Sequence, residues 1–151
     1  MSHASDGIDL EASVGYLLKE AATALRLAME QVLRPLDLTV TRYSCLELLS
    51  QRPGLSNSDL ARGAFVTRQS MNVLLRAMEA DGEVVRPDQA SIGKVLPARL
   101  TPAGAATLAA ASAAVRGVEE RMLSGLDDVD EARRMLRAMI GALSDPEPDP
   151  A

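Results

Sequence analysis

The strongest constraint in this sequence is a pair of short helices between Ser56 and Gly82, each with its own start signal. Ser56 and Thr67 are residue types that cap helix N-termini, and each is flanked by apolar residues at the positions of a hydrophobic staple. These staple pairs are Leu55 with Leu60 and Val66 with Met71. The glycine-containing segment 62–65 is too short for anything but a tight turn. The spacing predicts a helix-turn-helix.

The second of these helices has two different faces. Its apolar stripe has the spacing of a helix packed on a core and consists of Met71, Leu74, Leu75 and Met78. The opposite face offers guanidinium groups, which suit guanine or phosphate, amides, which suit adenine, and hydroxyls, which suit either. The predicted DNA-contacting residues of this helix and its cap are Thr67, Arg68, Gln69, Ser70, Asn72 and Arg76. The alternative is an ordinary solvated face, but such a face would usually include acids, and none occurs between Arg62 and Met78.

Composition and charge favour a helical protein whose DNA contacts are local. The 151 residues suit one domain, and the apolar residues are mostly Ala, Leu, Val and Met with 2% aromatics, which predicts a mainly α fold. The net charge of -5 argues against a protein that coats nucleic acid by bulk electrostatics. The acids are concentrated after Asp127, however, while the arginines between Val40 and Met78 outnumber Glu47 and Asp59.

A two-stranded β-hairpin is predicted after the second helix. Residues 83–86 alternate and are β-branched, residues 87–93 are turn-like, and residues 94–100 form the return strand. Directly after a recognition helix, such a hairpin is the wing of a winged helix, and its predicted DNA-contacting cations are Arg86 and Lys94. The alternative is an exposed hairpin without function. We assign residues 37–101 to the winged helix-turn-helix region.

Long apolar helices are predicted on both sides of this region, in residues 10–36 and 102–144. The first begins at Ile8 or Leu10 and ends before Pro35, and the second begins at Thr101-Pro102. A last helix is capped by Asp127 or Asp128. The apolar faces exceed what one small domain can cover, so we predict a helical dimerisation region in a symmetric homodimer. The predicted interface residues are Leu10, Val14, Val118, Met122, Met135 and Met139.

The remaining segments and the reactive residues suggest no enzyme. Residues 1–9, which include His3, are expected to be a frayed N-terminus, and residues 145–151 a disordered acidic tail. Cys45, the single cysteine, is interpreted as a small buried hydrophobe rather than a redox sensor. No catalytic constellation, metal-ligand set or cofactor motif is present in the sequence. Without a signal peptide or a membrane-length apolar run, the protein is expected to be cytoplasmic.

The order of these elements resembles the MarR (multiple antibiotic resistance regulator) family of transcription factors over about residues 10–144. The most specific motifs are Leu60-Ala61, then Met78-Glu79 with Gly82 and Val85-Arg86, and finally Leu100-Thr101 with Gly104. The resemblance implies a homodimer that binds palindromic operators in double-stranded DNA, usually as a repressor. It also implies release of the DNA when a small phenolic or anionic effector enters a cleft beside the DNA-binding lobe.

Two features depart from the family pattern. Ile92-Gly93-Lys94 stands where the wing often has Asp-Arg-Arg, and Val73 stands where many members have an arginine. Members that sense peroxide use a cysteine in the first helix, whereas Cys45 falls in the second, which argues against that mechanism here.

We therefore predict a sequence-specific DNA-binding transcriptional regulator, a homodimeric repressor released by a small molecule. The alternative is a winged-helix protein-interaction module with weak or no DNA binding. Arg42, Tyr43 and Tyr16 could line the effector cleft that the resemblance implies, but packing or surface charge explains each of them equally well.

Overall fold

The computed structural model describes residues 7–86 and 97–144, and it is mainly helical. The helices are α1 (Val14–Leu33), α2 (Val40–Gln51), α3 (Asn57–Gly63), α4 (Arg68–Ala80), α5 (Pro102–Leu123) and α6 (Val129–Ser144). Strands β1 (Val84–Val85) and β2 (Arg99–Leu100) pair antiparallel, with Val84 opposite Leu100. This architecture confirms the predicted winged helix-turn-helix. None of the described helices combines the length and apolar character needed to cross a membrane.

Side-chain caps explain where the helices begin. The hydroxyls of Thr39, Ser56 and Thr67 each accept a hydrogen bond from a backbone N–H three residues further on, at 3.0–3.1 Å, which confirms these three predicted caps. For α6 the choice between two aspartates is decided, because Asp128 Oδ1 accepts the N–H of Glu131 at 3.0 Å.

The predicted start of the first helix was wrong. The helix begins at Val14, because the Ser13 hydroxyl accepts the Tyr16 N–H at 3.2 Å and caps it there. Before Ser13, Asp9 organises a separate turn in which its backbone oxygen accepts the N–H of Ala12 at 3.1 Å. Leu10 therefore lies in this turn rather than on the helix.

The chain divides into two compact units after Val118. The first unit has a core whose fully buried side chains are Leu33, Cys45, Leu46, Leu60, Met71, Leu75 and Met78. These residues come from α1, α2, α3 and α4, so the helix-turn-helix shares one apolar core with the helices that precede it. The second unit contains α6, on which no residue is buried.

Helix α5 begins in close contact with the base of the wing. The Thr101 N–H donates to the backbone oxygen of Glu83 at 3.0 Å, and the Thr101 hydroxyl donates to that of Gly82 at 2.5 Å. A Cβ atom at Gly104 would lie only 2.1 Å from the Glu83 oxygen. Glycine is therefore required at this position, because any side chain would collide with the backbone of Glu83, directly before β1.

Candidate nucleic-acid interface

The turn between α3 and α4 is shorter than the sequence predicted, because α3 continues through Gly63. The Val66 N–H donates to the Ala61 oxygen at 3.0 Å and closes the turn. Phe65 adopts a φ of 59°, in the left-handed region that favours glycine, and is 93% exposed. A Cβ atom at Gly63 would lie 2.9 Å from Leu48 Cδ1, so this glycine allows α3 to pack closely on α2.

The apolar stripe of α4 anchors the helix as predicted. Met71, Leu75 and Met78 are fully buried, and Leu74 is half-buried. Gly82 follows the helix with a φ of 78°, the left-handed conformation expected just past a helix end. Because the stripe is sealed in the core, the opposite side of α4 is held at a defined position on the surface.

That opposite side forms a polar surface, which we call the recognition face. It consists of Thr67, Arg68, Gln69, Ser70, Asn72 and Arg76, of which all but the half-buried Asn72 are exposed. The Thr67 hydroxyl accepts the Ser70 N–H at 3.0 Å and lies 2.9 Å from the Ser70 hydroxyl, so it serves the helix start. The expectation that these residues share one accessible surface agrees with their exposure.

Two side chains of the recognition face are bonded to α3, which the sequence analysis missed. Arg68 Nε donates to Ser58 Oγ at 3.0 Å, and Asn57 Nδ2 donates to Asn72 Oδ1 at 2.7 Å. The only sequence signal for these bonds was the presence of two polar residues, Asn57 and Ser58, directly after the Ser56 cap. They sit 15 and 10 positions from their partners, and no local pattern connects residues at such distances.

An exposed ion pair on α3 engages Asp59. Arg62 Nη2 donates to Asp59 Oδ1, and the Ser56 hydroxyl donates to Asp59 Oδ2 at 2.9 Å. The hydrogen bond from Ser56, followed by that from Arg62, lowers the pKa of the Asp59 carboxyl below its ordinary value of 3.8. The negative charge of Asp59 is thus engaged within α3 and its cap.

The base of the wing is held by two arginines. Arg86 Nε donates to Glu79 Oε2 at 2.8 Å, which ties this predicted DNA-contacting cation to the end of α4. Arg42 on α2 bonds Asp81 at 2.6 Å and also the buried carboxylate of Glu83. Burial opposes the charge on Arg42, but its hydrogen bonds to Asp81 and Glu83 outweigh burial and raise its pKa. Arg42 is therefore an ion-pair partner at the α4–wing junction.

The other predicted wing cation, Lys94, lies outside the described residues, and so does the departure at 92–94. Val73, the other departure from the family pattern, lies on α4 with its side chain exposed.

Cys45 is a core residue. It is fully buried, and its Sγ lies 3.8 Å from Met71 Sδ. Burial raises the pKa of the thiol from 9.0 to about 11, and the nearby Arg42 offsets only part of this shift. A thiol that is both buried and protonated is a poor nucleophile, which agrees with the interpretation as a small hydrophobe.

A cleft of about 490 Å³ lies between α1, α2 and the turn that precedes α4. We call it the α1–α2 cleft; its lining includes one cation, three hydroxyls and apolar side chains, among them Arg26, Thr23, Thr41, Ser44, Leu25, Met29, Val40 and Phe65. Tyr43 is not among these residues, because it is buried and its hydroxyl bonds Glu47. Tyr16 lies elsewhere on α1, beside Lys19 and Glu20.

The predicted interface residues differ in exposure. Leu10, Val14, Met122 and Met135 are exposed, Met139 is half-buried, and Val118 is only 5% exposed. Within residues 7–86 and 97–144, no group of metal-ligating side chains could hold an ion.

Comparison with known proteins identifies the class that this winged helix-turn-helix represents. The model of the MarR family matches residues 36–91. HTH-type transcriptional repressor Rv2887 of Mycobacterium tuberculosis is 43% identical over 135 residues, which cover 88% of this chain and 97% of the repressor. The crystal structure of Rv2887 with salicylic acid matches with a TM-score of 0.68 at 43% identity, covering 88% of this chain and 97% of that one. Its complex with DNA gives 0.68 at 41% identity, covering 89% and 99%.

The chain therefore belongs to the MarR family, and it is a DNA-binding transcriptional repressor rather than an enzyme. The predicted family, fold and function class are confirmed. No observation favours the alternative of a protein-interaction module that has lost DNA binding.

Proposed function

We propose that the chain is a homodimeric repressor whose recognition face enters the major groove of a palindromic operator. The observation that carries this proposal is the position of Arg68, Gln69 and Arg76 on one exposed side of α4, within a stretch that has no carboxylate from residue 62 to residue 78, while the other side of the helix is sealed in the core. Direct base recognition needs donors and acceptors held rigidly in the groove, and this arrangement supplies them. Thr67, Ser70 and Asn72 complete the surface, and Arg86 and Lys94 extend it onto the wing.

A dimer is supported by apolar surface that the single chain leaves exposed. Val14, Leu17 and Leu18 on α1 are exposed, as are Met135 and Ile140 on α6. Exposed apolar faces of this kind commonly mark protein interfaces. A twofold dimer would present two copies of α4 to half-sites about 34 Å apart, which matches one turn of DNA.

The proposed effector is a small aromatic acid that binds in the α1–α2 cleft. The related repressor Rv2887 has been crystallised with salicylic acid and with p-aminosalicylic acid. In this chain the cleft combines the Arg26 guanidinium, which suits a carboxylate, with hydroxyls of Thr41 and Ser44 and the apolar surface of Met29. Phe65 and Val66 of the helix-turn-helix also line it, so an occupant would contact the DNA-binding lobe directly.

DNA recognition is tested by selecting bound sequences from a random duplex library with the full chain, then measuring affinity for the selected duplex. Replacing Arg68 or Arg76 with Ala should cost about 1–3 kcal/mol if the side chain contacts a base. Arg116→Ala is the matched control, because Arg116 is exposed on α5 and lies outside the recognition face. Unchanged affinity in both recognition-face variants would overturn the site assignment.

The effector proposal is tested by titrating the protein–duplex complex with salicylate. Salicylate should release the wild-type protein, and Arg26→Gln should weaken that response about tenfold, as expected for loss of a charge-assisted hydrogen bond. Lys19→Gln is the control, because it removes a cation from the same helix away from the cleft. Equal responses of the two variants would contradict this assignment.

A further inference from the structure

The recognition face is not shaped by α4 alone, because two of its side chains are held by consecutive residues of α3. Asn57 Nδ2 donates to Asn72 Oδ1 at 2.7 Å, in a half-buried position. Ser58 Oγ accepts from Arg68 Nε at 3.0 Å on the surface. Asn57 and Ser58 form the first turn of α3, directly after its Ser56 cap. One end of α3 thus contacts both a cation and an amide of the recognition face.

The bond from Asn57 decides which end of the Asn72 amide faces outward. An asparagine that recognises adenine uses both ends of its amide, donating to N7 and accepting from the N6 amino group. Here the Asn72 oxygen is directed toward α3, where it accepts the Asn57 N–H. The NH₂ group is left as the outward end. A donor of this kind pairs with acceptors of the major groove. Guanine offers two adjacent acceptors, O6 and N7, and thymine offers O4, whereas in adenine the acceptor N7 lies beside the N6 amino group, a donor that the outward NH₂ cannot pair with.

The bond to Ser58 has a comparable effect on Arg68. A guanidinium has donors at Nε and at both terminal nitrogens in one plane. With Nε occupied by Ser58, only the two terminal nitrogens point away from α3. This fork can bind guanine or phosphate end-on. Because one rotamer is already selected in the free protein, less side-chain entropy is lost when DNA binds.

We propose that Asn57 and Ser58 are positioning residues for DNA recognition, and that Asn57 makes Asn72 a hydrogen-bond donor that disfavours adenine at its base pair. The inference rests on the proposed placement of the recognition face in the major groove. It goes beyond that placement because it assigns a specificity role to α3 residues that need not touch DNA. It also replaces the simple expectation that an amide at Asn72 recognises adenine.

The test is a selection from a random duplex library with the full-length wild type and with Asn57→Asp and Asn57→Ala. The wild type should enrich guanine or thymine at one position of each half-site. In N57D the new carboxylate only accepts, so Asn72 turns its NH₂ toward α3 and presents its oxygen. The preferred base at that one position should change to adenine or cytosine, whose amino groups donate. N57A should lose the preference there and retain it elsewhere.

A separate measurement addresses Ser58. Ser58→Ala should weaken binding to the selected duplex about 2- to 10-fold, the entropic cost of ordering one more side chain when DNA binds. Ser58→Thr, which keeps the hydroxyl, should restore the affinity. Thermal unfolding of all variants is the structural control, because a purely structural role would lower the midpoint without changing the base preference at a single position.

The outcomes distinguish failure of the positioning role from failure of the proposed function. If the wild type enriches a sequence, but prefers adenine at the Asn72 position or keeps its preference in both Asn57 variants, the positioning role is wrong and the proposed function stands. If the wild type enriches no sequence and shows no salt-sensitive binding, the proposed function itself fails.

Discussion

Helices α4 and α6 are both amphipathic, yet they differ completely in burial. Helix α4 seals Met71, Leu75 and Met78 in the core of the first unit, whereas α6 buries no residue and leaves Leu143 89% exposed. An apolar stripe indicates that a helix face packs against something, but it does not show which partner. The stripe of α4 packs against the same chain. The stripe of α6 is exposed, which supports packing against a second copy of the chain in the proposed dimer.

The largest expected effect distinguishes these two helices at equivalent leucines. Leu75→Ala removes fully buried atoms and should lower the free energy of unfolding by about 2–5 kcal/mol. Leu143→Ala removes atoms that are exposed in the single chain, and it should change the free energy of unfolding of the monomer by less than about 0.5 kcal/mol. Urea unfolding at one fixed protomer concentration, low enough that the protein is monomeric, measures both. Similar losses at the two positions would show that α6 is as deeply packed as α4.

A second comparison concerns two glycines of α5. Gly104→Ala places a Cβ 2.1 Å from the Glu83 oxygen and should destabilise the protein by about 3 kcal/mol, the upper range for overpacking. Gly117→Ala meets no atom within 4 Å and should instead stabilise it by up to about 1 kcal/mol through helix propensity. Thermal unfolding of both variants checks the prediction. A neutral Gly104→Ala would mean that α5 does not hold the wing base closely.

The sealed core of the first unit also predicts a pH dependence. The pKa of Cys45 is about 11 in the folded state against 9.0 for an ordinary thiol, so the folded state binds the proton more tightly. This contribution to stability is present below pH 9 and should be lost as the pH rises from 9 to 11, by about 2–3 kcal/mol. The measurement is the difference in unfolding free energy between the wild type and Cys45→Ala across this range. A difference that does not change with pH would contradict the buried thiol.

The smallest expected effect lies on the surface of α3. The pKa of Asp59 is lowered by Ser56 and then by Arg62, so its contribution is present above pH 3.8 and is lost as the pH falls further. Asp59→Asn should therefore make stability slightly less sensitive to acid, as measured by unfolding between pH 5 and about pH 3. Glu11→Gln, which removes another exposed acid outside the helices, is the control for the loss of one negative charge.

Much of the fold was predictable because its signals are local. Ser56 and Thr67 cap helices through bonds to residues three positions away, and the stripe of α4 follows helical periodicity. The start of α1 was predicted too early, because the apolar residue Leu10 fits the periodicity although Ser13 is the cap. Periodicity alone does not show which residue will cap the helix, that is, which hydroxyl will accept a hydrogen bond from the first backbone N–H groups.

The candidate site was only partly predictable, since the hydrogen bonds that hold its side chains join residues far apart in the sequence. Arg42 and Glu83 are 41 residues apart, and Asn57 and Asn72 are 15 apart. The lining of the α1–α2 cleft by Arg26 and Ser44 likewise depends on how two helices pack. A pattern within one helix carries no information about such partners.

The sequence alone determined which segments become helices, that a tight turn joins α3 to α4, and which side of α4 is polar. These properties follow from capping, periodicity and the exclusion of acids, all of which act over a few residues. The tertiary structure alone decided which end of the Asn72 amide points outward, which arginines are paired, and which apolar stripes remain uncovered. Each of these depends on the approach of two helices, and that approach is set by the packing of the whole core.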